Sequence, residues 1–377
     1  MTGSFASAHA SGTHWADITR ACLTALGPVE RENALGFVYV TDPLANDLGA
    51  IVDQLRLATG IEHWLGTVGI AILGQDASGA AAEYIDQPAI SLMVGHFPAD
   101  SFRLLEPEPG GLGSRLRALQ PWRQTRHPGI ALVHGDPSNP QLPVLMQQMT
   151  GDAGLYLIGG LSSSRTTVPQ VAGRVGEGGL SGVLLAGDVA VVTGLSQGCS
   201  PIGPVHTITE AEQNIVMEID GRPALEVFRE EIGEVLARDM RKVAGFIFAA
   251  LPIAGSDTGD YLVRNLTGID TGKGWLAIGA EVAAGDGIMF TRRDRNSALA
   301  DFERMLDRLK RRIDRPIRGG LYVSCVARGP NLFGPDAVET RLIAEHLGQF
   351  PLTGFFANGE ISHDRVYAYT GVLTLFL

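Results

Sequence analysis

Three short segments carry residue types suited to recognising a small polar molecule. The first is Gly198-Cys199-Ser200-Pro201-Ile202-Gly203-Pro204. The second is Val323-Ser324-Cys325-Val326-Ala327-Arg328-Gly329, a strand pattern ending in a thiol with a guanidinium just beyond it. The third is Gly354-Phe355-Phe356-Ala357-Asn358-Gly359-Glu360-Ile361, a strand that runs into a glycine turn presenting Asn358 and Glu360. If the second and third are adjacent parallel strands, Arg328 and Glu360 emerge at one carboxyl edge, where ligands of open α/β sheets bind. A guanidinium forks onto a carboxylate and a glutamate accepts from an ammonium group, so the two suit a small zwitterion. The alternative is an Arg328–Glu360 ion pair that only holds the fold. Gly198, Gly329 and Gly359 would let backbone N–H groups approach a ligand. Cys199 and Cys325 are candidate contacts. A thiol near Arg328 gains reactivity if its pKa falls, whereas a buried thiol acts as a small apolar group.

Catalytic signatures are weaker. Gly194-Leu195-Ser196-Gln197-Gly198 matches G-x-S-x-G, but that elbow needs a helix directly after the serine. Pro201 and Pro204 oppose one. Gly268 to Gly274 contains Gly-Lys without the spacing or the Ser/Thr of a phosphate-binding loop. No G-x-G-x-x-G run links a strand to a helix, and neither H-E-x-x-H nor C-x-x-C occurs. No catalytic residue, metal site or cofactor is therefore assigned. His134 and His206 fall near strand ends and read as satisfied or surface histidines.

The elements that must position these residues are legible in outline. The chain has 377 residues, is 45% hydrophobic and only 19% charged, which excludes a charge-rich disordered protein. Its net charge is −11, and the basic residues from Arg292 to Arg318 are interleaved with acids. That reads as a solvated helix face rather than a nucleic-acid groove. No apolar run is long enough to span a bilayer. Three cysteines, Cys22, Cys199 and Cys325, fit a reducing cytoplasm better than a disulfide framework. The 48 glycines, close to twice the usual share of roughly 7%, imply many tight turns.

An apolar strand, a loop, a helix and a second strand recur at 35–73, 129–160 and 320–356, a spacing suited to right-handed crossovers. The fold class is α/β: two mixed α/β domains with strand–helix–strand units and internal duplication. The expected layout is an N-terminal extension with a short helix over 1–29, a first domain over 30–238 and a second over 239–377. Residues 1–14 read as frayed. Ser181–Ala186 and Val189–Gly194 read as a hairpin about Gly187-Asp188. Long helices are expected over Pro223–Met240 and Ala298–Ile313.

These segments, in this order, resemble the FIST family, with its N-terminal FIST and C-terminal FIST_C domains. The resemblance rests on G-C-S-P-I-G-P with Ile219-Asp220-Gly221-Arg222-Pro223-Ala224-Leu225 downstream. It continues through S-C-V-A-R-G, Leu332-Phe333-Gly334 and G-F-F-A-N-G-E-I, and through the closing strand from Tyr369 to Phe376. The Gly159-Gly160-Leu161-Ser162-Ser163 corner also fits. The resemblance implies a sensory module that binds a small ligand, with amino acids the expected class, and a signalling protein as partner. With the residue readings above, the expectation is a non-catalytic cytoplasmic sensor that takes a small polar ligand in a cleft, with neither nucleic acid nor membrane insertion. The chain departs from the family at Gly69 to Asp76, where a corner ending in Gly-Glu-Ile is expected and absent. Two other readings stand beside it. One is a hydrolase or acyl-transfer enzyme with Cys325 or Ser196 as nucleophile. The other is a protein-interaction scaffold.

Overall fold

Alternation along three pairs of parallel strands explains most of the architecture. Leu35, Phe37 and Tyr39 of the Ala34–Thr41 strand face one apolar cluster, while Val38 and Val40 face another. In Ile130–Gly135, Leu132 faces the first cluster and Ala131 and Val133 a third. In Gly319–Cys325, Leu321 and Val323 face the first and Tyr322 a fourth. Period-two side chains on strands buried on both faces produce this division. One shared core therefore lies among three six-stranded sheets, and a separate core covers the outer face of each.

The computed structural model describes residues 5–76, 78–107, 111–233, 243, 245–253 and 260–377. Contacts divide the chain into two compact units. The first comprises Met1–Ser196, Phe302–Val366 and Thr370–Leu377; the second comprises Gln197–Asp301 with Tyr367–Tyr369. The expected boundary at 238/239 lies outside the described residues.

In the first unit each sheet holds one parallel pair. Ala34–Thr41 pairs with Trp64–Gly69, Ile130–Gly135 with Tyr156–Leu161, and Gly319–Cys325 with Leu352–Ala357. Helices Leu48–Thr59, Leu142–Gln147 and Val338–Leu347 make the three crossovers. The second strand of each pair then turns a corner into the next sheet. Ala71–Gln75 joins Leu352–Ala357, Glu360–Ser362 joins Tyr156–Leu161, and Gln170–Ala172 joins Trp64–Gly69. The exchange is cyclic, so the internal repetition is threefold.

The corners bind one another. Leu161 N donates to Gly359 O at 2.8 Å and Asn358 N to Leu161 O at 3.0 Å. Ser163 Oγ accepts from Ile70 N at 2.9 Å and donates to Phe356 O.

Several expectations need correcting. Residues 5–11 are not frayed: Phe5–Ser11 pairs antiparallel with Ala89–His96. Ala8 is buried beneath the Trp15–Leu26 helix, and Phe5 packs into the shared core. The hairpin about Gly187-Asp188 does not form. Leu180–Leu185 lies beside Ile130–Gly135, whereas Val191–Ser196 pairs with the final strand Gly371–Phe376 in another sheet. Both strands pair along their full length with strands elsewhere, so the turn redirects the chain between sheets. The second strand of the 35–73 unit is two, Trp64–Gly69 and Ala71–Gln75, split at Ile70. The helix expected over 223–240 is described over Ala224–Ile232, and residues 234–240 lie outside the described set. The other long helix runs Arg295–Arg312.

The second unit is an antiparallel sheet. Its central strand, Cys199–Glu212, pairs with Gly287–Arg293 on one side and Ile215–Ile219 on the other. Register shifts between Ile202 and His206, where Gly203 adopts φ 67° and Pro204 cannot donate to the ladder. The Ala224–Ile232 helix buries Leu225, Val227 and Phe228 against this sheet.

Candidate ligand site

The Gly319–Cys325 and Leu352–Ala357 strands are parallel neighbours, so the residues that follow them leave at one edge. After Cys325 the chain makes a turn in which Arg328 N donates to Cys325 O at 2.8 Å. Gly329 follows with φ 53°, a conformation that favours glycine. A Cβ there would lie 2.4 Å from the Phe356 ring. The short Pro330–Phe333 helix and the left-handed pair Asp336-Ala337 lead into the Val338–Leu347 helix, with Glu339 in its first turn.

Arg328 and Glu339 form the centre of a buried polar network. Both side chains are 0% exposed, and Arg328 Nη2 lies 2.7 Å from Glu339 Oε1. Arg328 Nε donates to the same oxygen at 2.9 Å, and so does the Tyr322 hydroxyl. Glu339 Oε2 accepts from Ser324 Oγ at 3.0 Å and from Gly329 N at 3.1 Å. Five donors surround this carboxylate away from water. The guanidinium packs 5.1 Å from the centre of the Phe333 ring and reaches Ser196 Oγ at 3.4 Å. Burial opposes the charged form of Arg328, but Glu339, Tyr322 and Glu360 together outweigh it and the pKa ends above its ordinary value. Burial, then Glu339, raises Tyr322 well above the phenol range.

Glu360 lies beyond the second strand. The turn Asn358-Gly359 brings it there, with Gly359 at φ 136° and a notional Cβ 2.7 Å from Val366. Glu360 is fully buried. Its Oε2 accepts from Thr370 Oγ1 at 2.7 Å and from Thr370 N at 3.1 Å. The Cys325 thiol favours the ionised form of this carboxyl group, though less than burial opposes it. Its Oε1 is buried and has no hydrogen-bond partner among the described residues. Burial pushes the Glu360 pKa up to about 8, against the opposing effect of Thr370, Arg328 and Cys325. The group is therefore protonated at neutral pH, with one oxygen uncommitted.

The structure thus gathers Cys325, Arg328, Gly329 and Glu360 at one edge. The guanidinium is engaged by Glu339, eleven residues on, and not by Glu360. Asn358 is exposed, and its N–H is used by Leu161. Cys199 belongs to the second unit. It is buried among Phe248, Ala250, Tyr261, Val263 and Met289, and its carbonyl accepts from Tyr261 Oη at 2.6 Å. Ser196 ends a strand, and Cys199 begins the next with no helix between, so the elbow geometry is not met. Sequence reasoning missed Glu339, Tyr322, Ser324 and Thr370. An acid in a first helical turn is common enough to give no signal, and the other three read as strand positions. Among the described residues no group of three or more His, Cys, Asp or Glu is placed to hold a metal ion. No helix there is long and apolar enough to cross a membrane.

Residues 34–222 match the FIST N domain and residues 224–363 the FIST C domain. The chain belongs to the FIST family. FIST domains are sensory domains of signal transduction. An uncharacterized protein of Mycobacterium tuberculosis is 30% identical over 327 residues, spanning 81% of this chain and 84% of its own. An uncharacterized protein of Mycobacterium bovis is 30% identical over 318 residues, spanning 80% and 76%. The FIST C match includes Cys325, Arg328, Glu339 and Glu360, while Cys199 falls in the FIST N match. The match boundary near 223 lies inside the second structural unit, so family domains and spatial units divide the chain differently.

Proposed function

We propose that this FIST protein is a non-catalytic sensor. It binds a small polar, amino-acid-like ligand at the carboxyl edge of the Gly319–Cys325 and Leu352–Ala357 pair and reports occupancy to a signalling partner. The observation that carries the reading is Glu360, whose Oε2 is fixed by Thr370 while the buried Oε1 has no partner among the described residues. A buried polar atom left unpaired costs free energy that a ligand atom recovers. Arg328 and Glu339 act as positioning residues, since their charges are spent on one another. Gly329 and Gly359 shape the turns, Asn358 lies at the rim, and Cys325 ends the strand beside the Glu360 carboxyl. Cys199 is not assigned to this edge.

The test is a thermal-shift screen with amino acids and small carboxylates against the wild type, Glu360→Leu, which removes both polar atoms, and Cys325→Ala. A ligand at 100 times its Kd stabilises by about 2.7 kcal/mol, enough to read. A dose-dependent shift lost in Glu360→Leu supports the reading. A shift that survives unchanged in that variant, or none across the library, refutes it.

A further inference from the structure

Two segments singled out in the sequence, Gly198–Pro204 and Ile219–Leu225, take no part in the Glu360 edge. In the second unit they converge on His206. The central strand Cys199–Glu212 shifts register between Ile202 and His206, where Gly203 turns with φ 67°. His206 Nδ1 lies 2.7 Å from Asp220 Oδ2, and its Nε2 lies 3.4 Å from Glu231 Oε1. Asp220 stands in the tight turn before the Ala224–Ile232 helix, in the left-handed region at φ 52°. Thr207 N fixes it there by donating to Oδ1 at 2.9 Å. Glu231 belongs to the last turn of the helix, and a side chain on Gly203 would collide with its carboxyl group. One imidazole therefore joins the bulge, the turn and the helix. The His206 and Glu231 side chains are only 12% and 19% exposed, so solvent screens their contact little. Other charged groups around the ring are engaged elsewhere. Arg222 holds Glu226 at 3.0 Å and Glu230 at 2.5 Å. Asp286, before the adjoining strand, accepts from Ala283 N at 2.8 Å, and the residue opposite His206 on that strand is Ile288.

Two acids make competing demands on one ring. A neutral imidazole carries a single N–H, so it donates to one acid and turns a bare lone pair to the other. An imidazolium donates to both. With Nδ1 against Asp220, Nε2 is the nitrogen whose proton decides the contact with Glu231, and it is buried with no hydrogen-bond partner among the described residues. The start of the helix does not depend on this contact. Leu225, Val227 and Phe228 are buried against the sheet, and Leu225 N donates to Gly274 O at 2.9 Å. We propose that proton uptake at His206 fastens the last turn of this helix to the bulge of the central strand, and that proton loss releases it. The latch lies wholly in the second unit and stands or falls independently of the Glu360 reading.

The test is hydrogen exchange of the full chain, read as protection factors of the Glu230, Glu231 and Ile232 amides at about pH 5.5 and about pH 8, either side of ordinary imidazole titration. A hydrogen bond to a charged group is worth about tenfold in a local opening equilibrium, so these amides are expected to be about tenfold better protected at the lower pH. His206→Gln, which cannot titrate, is expected to remove the difference and keep the weaker protection. Glu231→Gln is expected to remove it and keep the stronger, because the amide donates to Nε2 of the neutral ring while Nδ1–H serves Asp220. Glu360→Gln is expected to leave the difference in place. Equal protection of the wild type at both pH values overturns the proposal. So does a pH difference of wild-type size that persists in His206→Gln or in Glu231→Gln.

Discussion

Replacing Glu360 by Gln should make this protein more stable at neutral pH, and the gain should depend on pH. The carboxyl is fully buried and its pKa stands at about 8 against an ordinary 4.5, with burial as the main cause. Between those values the folded chain holds a proton that the unfolded chain releases. Stability from this group is therefore fully present below 4.5, declines as pH rises, and levels off above about 8. At about 1.36 kcal/mol per pH unit, the whole window is worth at most about 5 kcal/mol, and about 3 kcal/mol of it is lost by pH 7. Gln keeps the shape and cannot ionise. Urea unfolding of both proteins at pH 5, 6, 7 and 8 reads the difference. The variant should gain on the wild type by roughly 1 kcal/mol per pH step across that range. A stability difference that stays constant with pH would show that Glu360 titrates normally, and the burial argument for its protonated state would fail.

Other outcomes follow from the same network and core. Arg328→Ala leaves the Glu339 carboxylate buried and unpaired, so denaturant unfolding should show a loss of about 3–5 kcal/mol, with Glu339→Gln similarly costly and the double variant far from additive. Gly329→Ala sets a methyl against the Phe356 ring in a left-handed conformation and should lower the melting temperature; an unchanged value would mean the turn relaxes freely. The three cysteines are buried, and native protein should label with a thiol reagent only at the rate of unfolding; fast labelling of Cys325 would favour the nucleophile reading. Burial lowers the His134 pKa to about 3, so its ring resonances should not titrate between pH 8 and 5. Its neutral form costs stability as pH falls below the ordinary value near 6.5, the opposite sense to Glu360.

What the sequence made legible was what local pattern controls. The three strand–helix–strand units were visible as apolar runs alternating with helix periods, and all three form parallel pairs. Which strand joins which sheet was not visible. The turn at Gly187-Asp188 reads as a hairpin, yet Val191–Ser196 pairs with residues 371–376, a partner that no local signal names. The N-terminal strand was missed for a related reason. Its alanines pack because a helix lies over them and the Phe5 ring finds the shared core, while its composition looks like a polar tail. At the site, Arg328 and Glu360 do reach one edge because their strands are parallel. The acid that takes the guanidinium is Glu339, brought back by the crossover helix to face the strand it left. A pairing made by a crossover requires the tertiary path, and residue spacing alone does not supply it.

The threefold repetition also bears on where a ligand contact belongs. The first corner, Gly69-Ile70-Ala71, lacks the Gly-Glu-Ile that the family resemblance leads one to expect, and its space is filled. A Cβ on Gly69 would lie 3.2 Å from Phe355 Cβ, and Ile70 N is held by Ser163 Oγ. The second corner spends its hydroxyls internally, Ser162 on Thr67 at 2.6 Å and Ser163 on Phe356 O. The third corner alone ends in an acid, and that acid keeps one oxygen unpartnered among the described residues. Repetition sets the geometry of all three corners, and residue identity leaves polar capacity at one. Ile70→Ala should therefore leave ligand-induced stabilisation intact while Glu360→Leu removes it. Loss of the ligand response in Ile70→Ala with the fold preserved would place the contact at the first corner and overturn this assignment.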